Sequence, residues 1–223
     1  MNFLREKCNR SPEFARIAPF ALYAVLTFLQ GDFGPASLYW VYVVKTFLGA
    51  WVLWEVRPFV PEMRWSISWE AVVVGVAIFG LWVGLDGLYP RLAEAGAGAN
   101  PFHQFGAGSF AAWAYIVVHI TGMSIVVPPV EEIFYRSFLY RYLVKIDFRA
   151  MPLNQFHTLS FVVTSVLFGL MHPEDWLAGI VCGLAYQWLV IRKNRLGDAM
   201  SAHAITNFLL GVYIVWNGTW HFW

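Results

Sequence analysis

The chain has 223 residues, 59% of them hydrophobic and 13% charged, against roughly 45–50% and about 25% in ordinary soluble domains. That much Leu, Val, Phe and Trp cannot be hidden in one water-soluble core of this size, which excludes a soluble single domain and leaves a membrane. A formal net charge of +1 gives no footprint for nucleic acid and no overall field that would steer acidic ligands.

In chain order, residues 1–14 read as a charged cytoplasmic tail carrying Arg5, Lys7 and Arg10. Together with Arg16 this stretch leads into an apolar run to about Gln30. The pattern superficially resembles a signal peptide, but no small-residue cleavage site follows, so an uncleaved first helix is expected. Cys8 lies in the charged tail and Cys182 deep in an apolar segment, so both are expected as free thiols.

A spanning helix needs about 20 mostly apolar residues. Seven candidates run roughly over 15–31, 38–55, 70–89, 109–130, 156–172, 176–191 and 197–216, with charge continuing after the fourth to Lys145. The expected fold is therefore a single all-α polytopic membrane domain over residues 1–223. Residues 156–191 must supply two spans and a turn, which makes both short and implies tilt or local thinning. No internal repeat suggests the duplicated halves of a secondary transporter.

Basic residues are retained on the cytoplasmic side. Arg5, Lys7, Arg10 and Arg16, then Arg57 and Arg64, Arg141, Lys145 and Arg149, and Arg192, Lys193 and Arg195 all fall on one side of seven spans. The other side offers only Arg91. The expectation is an N-terminus inside and a C-terminus outside, with Trp216, Trp220, Phe222 and Trp223 as an aromatic belt at the outer interface.

Ionisable side chains inside a bilayer cost roughly 2.5–3.5 kcal/mol even on the lenient insertion scale, so they mark function by default. Lys45, Asp86 and His119 are scattered, whereas Glu131, Glu132, Arg136, His172, His203 and Asn207 fall on three segments of the C-terminal half. Residues four apart share a helix face. Glu132 should therefore pair with Arg136, leaving Glu131 beside a second carboxylate as a candidate general base. His203 and Asn207 share a face in the same way, while His172 ends its span at the helix-breaking Pro173.

Counted from Arg141 and Arg195, Glu131 and His203 lie about 15 and about 12 Å deep and can meet near the mid-plane; His172 comes out deeper, about 22 Å beyond His157. A carboxylate, two imidazoles and an amide converging there could activate a water and stabilise an oxyanion, the equipment for peptide hydrolysis. Glu131, His172 and His203 could equally hold a divalent metal such as zinc. The expected cavity opens towards the cytoplasmic or lateral side, with Asp86 and His119 as polar packing or rim residues. Gly179-x-x-x-Gly183 and Ser165-x-x-x-Gly169 are spacings that pack helices closely.

Three stretches in order, Glu131-Glu132-Ile-Phe-Tyr-Arg136, Phe168-Gly-Leu-Met-His172 and His203-Ala-Ile-Thr-Asn207, resemble the signature of the CPBP intramembrane proteases, the family of the CAAX prenyl endopeptidases and of bacteriocin-immunity homologues. The likeness covers about residues 112–216, the catalytic core it implies. The flanking stretches from Tyr39 to Lys45, Trp82 to Asp86, Trp176 to Gly179 and Thr206 to Gly211 are similar to the CAAX protease-related branch that accompanies bacterial exosortase systems.

The resemblance implies that Glu131 activates water, His172 helps to hold it, and His203 and Asn207 stabilise the oxyanion, with Glu132 and Arg136 supporting. One departure is the Pro-Glu-Asp after His172. The implied activity is an intramembrane endopeptidase acting on a membrane-anchored protein or peptide among membrane lipids, in a bacterial inner membrane and with a functional link to an exosortase system. The competing readings are a non-catalytic scaffold or immunity factor on the same fold, and a proton-linked transporter using the buried His and Glu as a relay.

Overall fold

The computed structural model describes residues 3–93 and 98–223. Among these the chain is helical throughout, with no strand. A short helix α1 (Phe3–Arg10) leads into α2 (Pro12–Phe28), α3 (Ser37–Val56), α4 (Trp69–Leu85), the short α5 (Pro101–Phe105) and a long α6 (Phe110–Tyr142). It continues through α7 (Thr158–Leu170), α8 (Trp176–Lys193) and α9 (Gly197–Asn217), ending in a single 3-10 turn at Trp220–Phe222. Ser37–Phe59, α6 and α9 are long and apolar enough to cross a membrane.

Local sequence sets the boundaries. Ser11, Ser68 and Ser109 accept from the backbone N–H three residues on and so cap α2, α4 and α6. Asn194 at φ 51° stops α8 and Gly218 at φ 68° stops α9, each in the left-handed conformation that ends helices. Thirteen residues give α7 a length of only about 20 Å, whereas the 18 of α8 give about 27 Å, so of the two short spans expected for 156–191 only the first is short.

Residues 3–14 are helical for most of their length and pack against the bundle. Cys8 is buried, and Arg5 reaches Glu55 at the end of α3 at 2.8 Å. Both cysteines are free.

The long helices alternate in direction, so their ends gather at two poles. At one pole Arg16 and Arg141 share Glu62 at 2.7 and 3.0 Å, Lys193 meets Glu70 at 2.6 Å, and Ser66 donates to Asp198 at 3.0 Å. At the other the Leu92 amide donates to the Pro173 carbonyl and the Trp176 indole to Pro90, both at 2.9 Å, while His221 meets Asp86 at 3.1 Å. The 15 Lys and Arg divide sharply: Arg91 is at the second pole, Lys45 and Arg136 lie within helices, and all the others are at the first.

Close approach of backbones holds the centre. A Cβ on Gly179 would sit 2.8 Å from Gly169 Cα, and one on Gly183 2.8 Å from Ser165 Cα, so α7 and α8 meet along the small-residue stripes read from the sequence. Gly75 lets α4 approach α9 in the same way, since its Cβ would lie 2.7 Å from the Ala202 carbonyl oxygen.

At the C-terminal end Trp216 is exposed, whereas Trp220, Phe222 and Trp223 are half-buried against the bundle. Trp223 stacks on His119 with centroids 4.2 Å apart, and Trp220 packs edge-on against Phe102 at 5.6 Å. The segment folds back across the second pole.

Candidate active site

The site is built on a deformed stretch of α6. Residues Gly122–Val126 and Ile133–Leu139 are π-helical, and between them lies Val127–Glu132 with Pro128 and Pro129 inside it. Proline carries no N–H, so the wide turn before it cannot close by the ordinary ladder. Val127 N–H goes to the Gly122 carbonyl. The π-type partner of the Met123 carbonyl would be residue 128, a proline, and that carbonyl instead accepts from Asn207 Nδ2 at 2.7 Å. The bulge and its cap tie α6 to α9 about two turns before the paired glutamates. Such bulges recur at functional sites.

Glu132 is fully buried and sits between two partners. Arg136 Nε lies 3.2 Å from Oε2, the i,i+4 pair expected from helical spacing, and His203 Nδ1 lies 3.0 Å from Oε1. The second contact was not legible, because it joins helices 71 positions apart. A carboxylate neutralised by Arg136 accepts, so Nδ1 of His203 carries the hydrogen and Nε2 becomes the ring's other working atom. That atom lies 3.9 Å from Glu131 Oε2, an oxygen that is buried and makes no hydrogen bond within the protein. One imidazole thus bridges the two glutamates, the first clamping it and the second left free.

Aromatic rings fix that imidazole. Tyr186 stacks on His203 at 5.1 Å and donates its hydroxyl to Thr206 Oγ1 at 2.7 Å, which in turn donates to the Gly75 carbonyl at 2.8 Å. Phe168 meets His203 edge-on at 6.0 Å and receives Arg136 over its face at 4.3 Å. Tyr186 was missed by sequence reasoning. The signal was a lone phenol in an apolar span, seven residues and so about two turns beyond Gly179, on the face that the glycine stripe turns inward.

His172 comes at the end of α7, one turn after Phe168. Its ring lies 5.0 Å from Phe168 and 5.5 Å from Trp82. Nδ1 donates to the Phe168 carbonyl at 2.9 Å, since a carbonyl only accepts, which leaves Nε2 free. The depth mismatch found in the sequence resolves here. Phe168 lies at the level of His203, and His172 stands one turn nearer the second pole.

His172, His203 and Asn207 line one cavity of about 320 Å³, together with Trp82 and Cys182. Met123, Val127, Phe168, Thr206 and Leu210 add helix walls, and the rest comes from Pro173, Glu174 and Asp175 and from His221, Phe222 and Trp223. These latter are residues of the second pole, so this part of the cavity lies at the end of the bundle opposite the basic loops. Glu131 reaches this group through His203 rather than as a wall of the cavity. Asp86 stands at the rim, held by Arg91 at 2.6 Å and His221, and His119 lies under Trp223.

Among the described residues no three His, Cys, Asp or Glu side chains converge as a metal-holding group. Glu131, His172 and His203 are thus not gathered as a ligand set, although each histidine has Nδ1 hydrogen-bonded and Nε2 left as the atom that would ligate.

A family model described as type II CAAX prenyl endopeptidase Rce1-like matches residues 113–209, from α6 into α9 and a little under half of the chain. No curated protein and no solved structure matches. Over this segment the chain is similar to that family, and three helices among the described residues are long and apolar enough to cross a membrane.

Proposed function

We propose that this protein is an intramembrane endopeptidase that hydrolyses a peptide bond of a membrane-anchored protein with water activated by Glu131. The observation that carries the reading is the single imidazole of His203, clamped by Glu132 on one nitrogen and facing the unpartnered Glu131 with the other.

In the proposed reaction Glu131 takes a proton from water, the water oxygen bonds to the scissile carbonyl carbon, and charge develops on the carbonyl oxygen. His172, with Nε2 free, helps to hold that water. The second N–H of Asn207 faces the developing oxyanion, with the His203 ring held beside it by Glu132. The C–N bond then breaks as Glu131 passes its proton to the leaving amine. Glu132 and Arg136 hold the ring in place, and no step in this scheme calls for a metal.

The same reading takes the chain as seven spans in a bacterial cell membrane, with the N-terminus and basic loops cytoplasmic and a functional link to an exosortase system. Its supports are the one-sided placement of Lys and Arg and the flanking stretches that resemble the exosortase-associated branch.

Membrane proteins cut in cells carrying wild-type protein are compared with those cut in cells carrying Glu131→Gln. The amide keeps size and shape but cannot take a proton from water. The expected result is a well-folded variant in which a set of cleavages disappears. A folded Glu131→Gln protein that still produces them would overturn the assignment.

A further inference from the structure

The cavity mouth and the basic loops lie at opposite poles of the same helices. The walls nearest the opening are the end of α4 at Trp82, the turn Pro173–Asp175 and the segment His221–Trp223. The starts of α4 and α9 and the end of α8 lie at the other pole among Arg64, Lys193 and Arg195. Charge follows the same division, because the mouth carries Glu174, Asp175 and Asp86, with Arg91 as the nearby Lys or Arg.

The interior between the site and the basic pole is closed. One turn before His203, Ala199 and Met200 have no exposed surface, and neither do Leu189, Val190 and Leu196. Below them Arg16, Ser137 and Arg141 converge on Glu62. This layer separates the site cavity of about 320 Å³ from a second cavity of about 300 Å³ at the basic pole, which is lined by Glu62, Arg64 and Leu196 and holds none of the site residues. The short α7 brings the mouth to membrane depth, since its roughly 20 Å falls well short of a 30 Å hydrocarbon core.

Basic residues are retained in the cytoplasm. We infer that this active site is served from the extracytoplasmic side, and that its substrate is an exported, membrane-anchored protein whose scissile bond lies at or just outside the outer end of its span. The side of access rests on charge and cavity geometry, and the substrate class rests in addition on the peptidase reading proposed above. A prenylated C-terminal tail presented from the cytoplasm is the competing substrate, and it would have to enter through the closed layer.

Two measurements test this separately. Leu88 beside the mouth and Ile146 at the basic pole are 74% and 78% exposed, so each is replaced singly by cysteine in full-length protein carrying Cys8→Ala and Cys182→Ala. Intact cells are treated with a membrane-impermeant maleimide before and after permeabilisation. Leu88→Cys should be labelled in intact cells and Ile146→Cys only after permeabilisation; the reverse pattern, or labelling of both from one side, overturns the inference whether or not the protein is a protease.

The termini created by Glu131-dependent cleavage are then mapped by mass spectrometry. Cuts at the outer flank of substrate spans support the inference, and cuts at the cytoplasmic flank or in a cytoplasmic tail overturn it. With Leu88→Cys labelled from outside and no cleavage lost in folded Glu131→Gln, the peptidase reading falls and takes the substrate class with it, while the outward-facing cavity stands.

Discussion

Asn207 donates its side-chain amide to the Met123 carbonyl at 2.7 Å, across the interface between α9 and the first wide turn of α6. The bond exists because Pro128 has no N–H to offer that carbonyl. One proline therefore creates an orphan acceptor, and one asparagine satisfies it from a neighbouring helix. The residue that resemblance casts as an oxyanion ligand is also a structural tie between the two helices that carry Glu131 and His203.

The two roles separate in a double-mutant cycle. Leaving a buried carbonyl unsatisfied costs about 1–3 kcal/mol, so Asn207→Ala should lower thermal stability in detergent by that amount. Pro128→Ala restores an N–H at position 128, and in that background the cost of Asn207→Ala should shrink. Stability that falls equally in both backgrounds would refute the cap. Cleavage, by contrast, should fall with Asn207→Ala in either background if the amide also faces the oxyanion.

Much of this arrangement was legible in the sequence, and the reason is local. The Glu132–Arg136 pair, the His203–Asn207 face and the glycine stripes each follow from residues three or four apart on one helix. What was not legible depends on contacts between helices. Nothing near Glu132 in the chain points to His203, and nothing near Trp223 points to His119. The position of His172 was obscured for a third reason, since counting rise from the nearest basic residue assumes helices that start at one level and stand parallel. The charge count read the poles of the molecule, but it could not say which pole the cavity meets.

Glu132 and Glu131 should fail differently. Removing one partner of a buried pair leaves an uncompensated charge and costs roughly 3–5 kcal/mol. Glu132→Ala strands Arg136, which is 2% exposed, and also frees His203 Nδ1. The expected outcome is low folded yield and a lowered Tm, together with lost cleavage. Glu131→Gln should leave stability within about 0.5 kcal/mol of wild type, the range of substitutions that break no buried network. Equal Tm for the two variants would defeat the division of roles.

Helix packing makes the next prediction. Gly179→Ala and Gly183→Ala each push a methyl against backbone of α7 at 2.8 Å, so the helices must part, at about 1–3 kcal/mol for overpacking. Because His172 directly follows the end of α7, both variants should lose cleavage activity beyond their loss of stability. Gly80 on α4 has nothing within 4 Å of an added Cβ, and Gly80→Ala should be neutral or stabilising by about 0.5–1 kcal/mol through helix propensity. Tolerance of Gly179→Ala with full activity would mean that α7 and α8 do not depend on this contact.

At the basic pole the loop residue Glu62 gathers Arg16, Ser137 and Arg141. Burial opposes its ionisation, but Arg16 and the Ser137 hydroxyl outweigh burial and hold the carboxyl below the usual carboxylate range. A carboxyl whose folded value is depressed contributes stability at pH values above its unfolded value, about 4.3 for glutamate, and loses it as pH falls towards and through the folded value. Thermal stability of the wild type in detergent should therefore drop on acidification below about pH 4.3, and Glu62→Gln should be less stable than wild type at pH 7 by roughly 3–5 kcal/mol, the cost of breaking a buried pair. Because the amide does not titrate, the gap between the two proteins should narrow as the pH is lowered across that window. A gap that stays constant from pH 7 to pH 3 would show that the Glu62 charge does not hold this end of the bundle together.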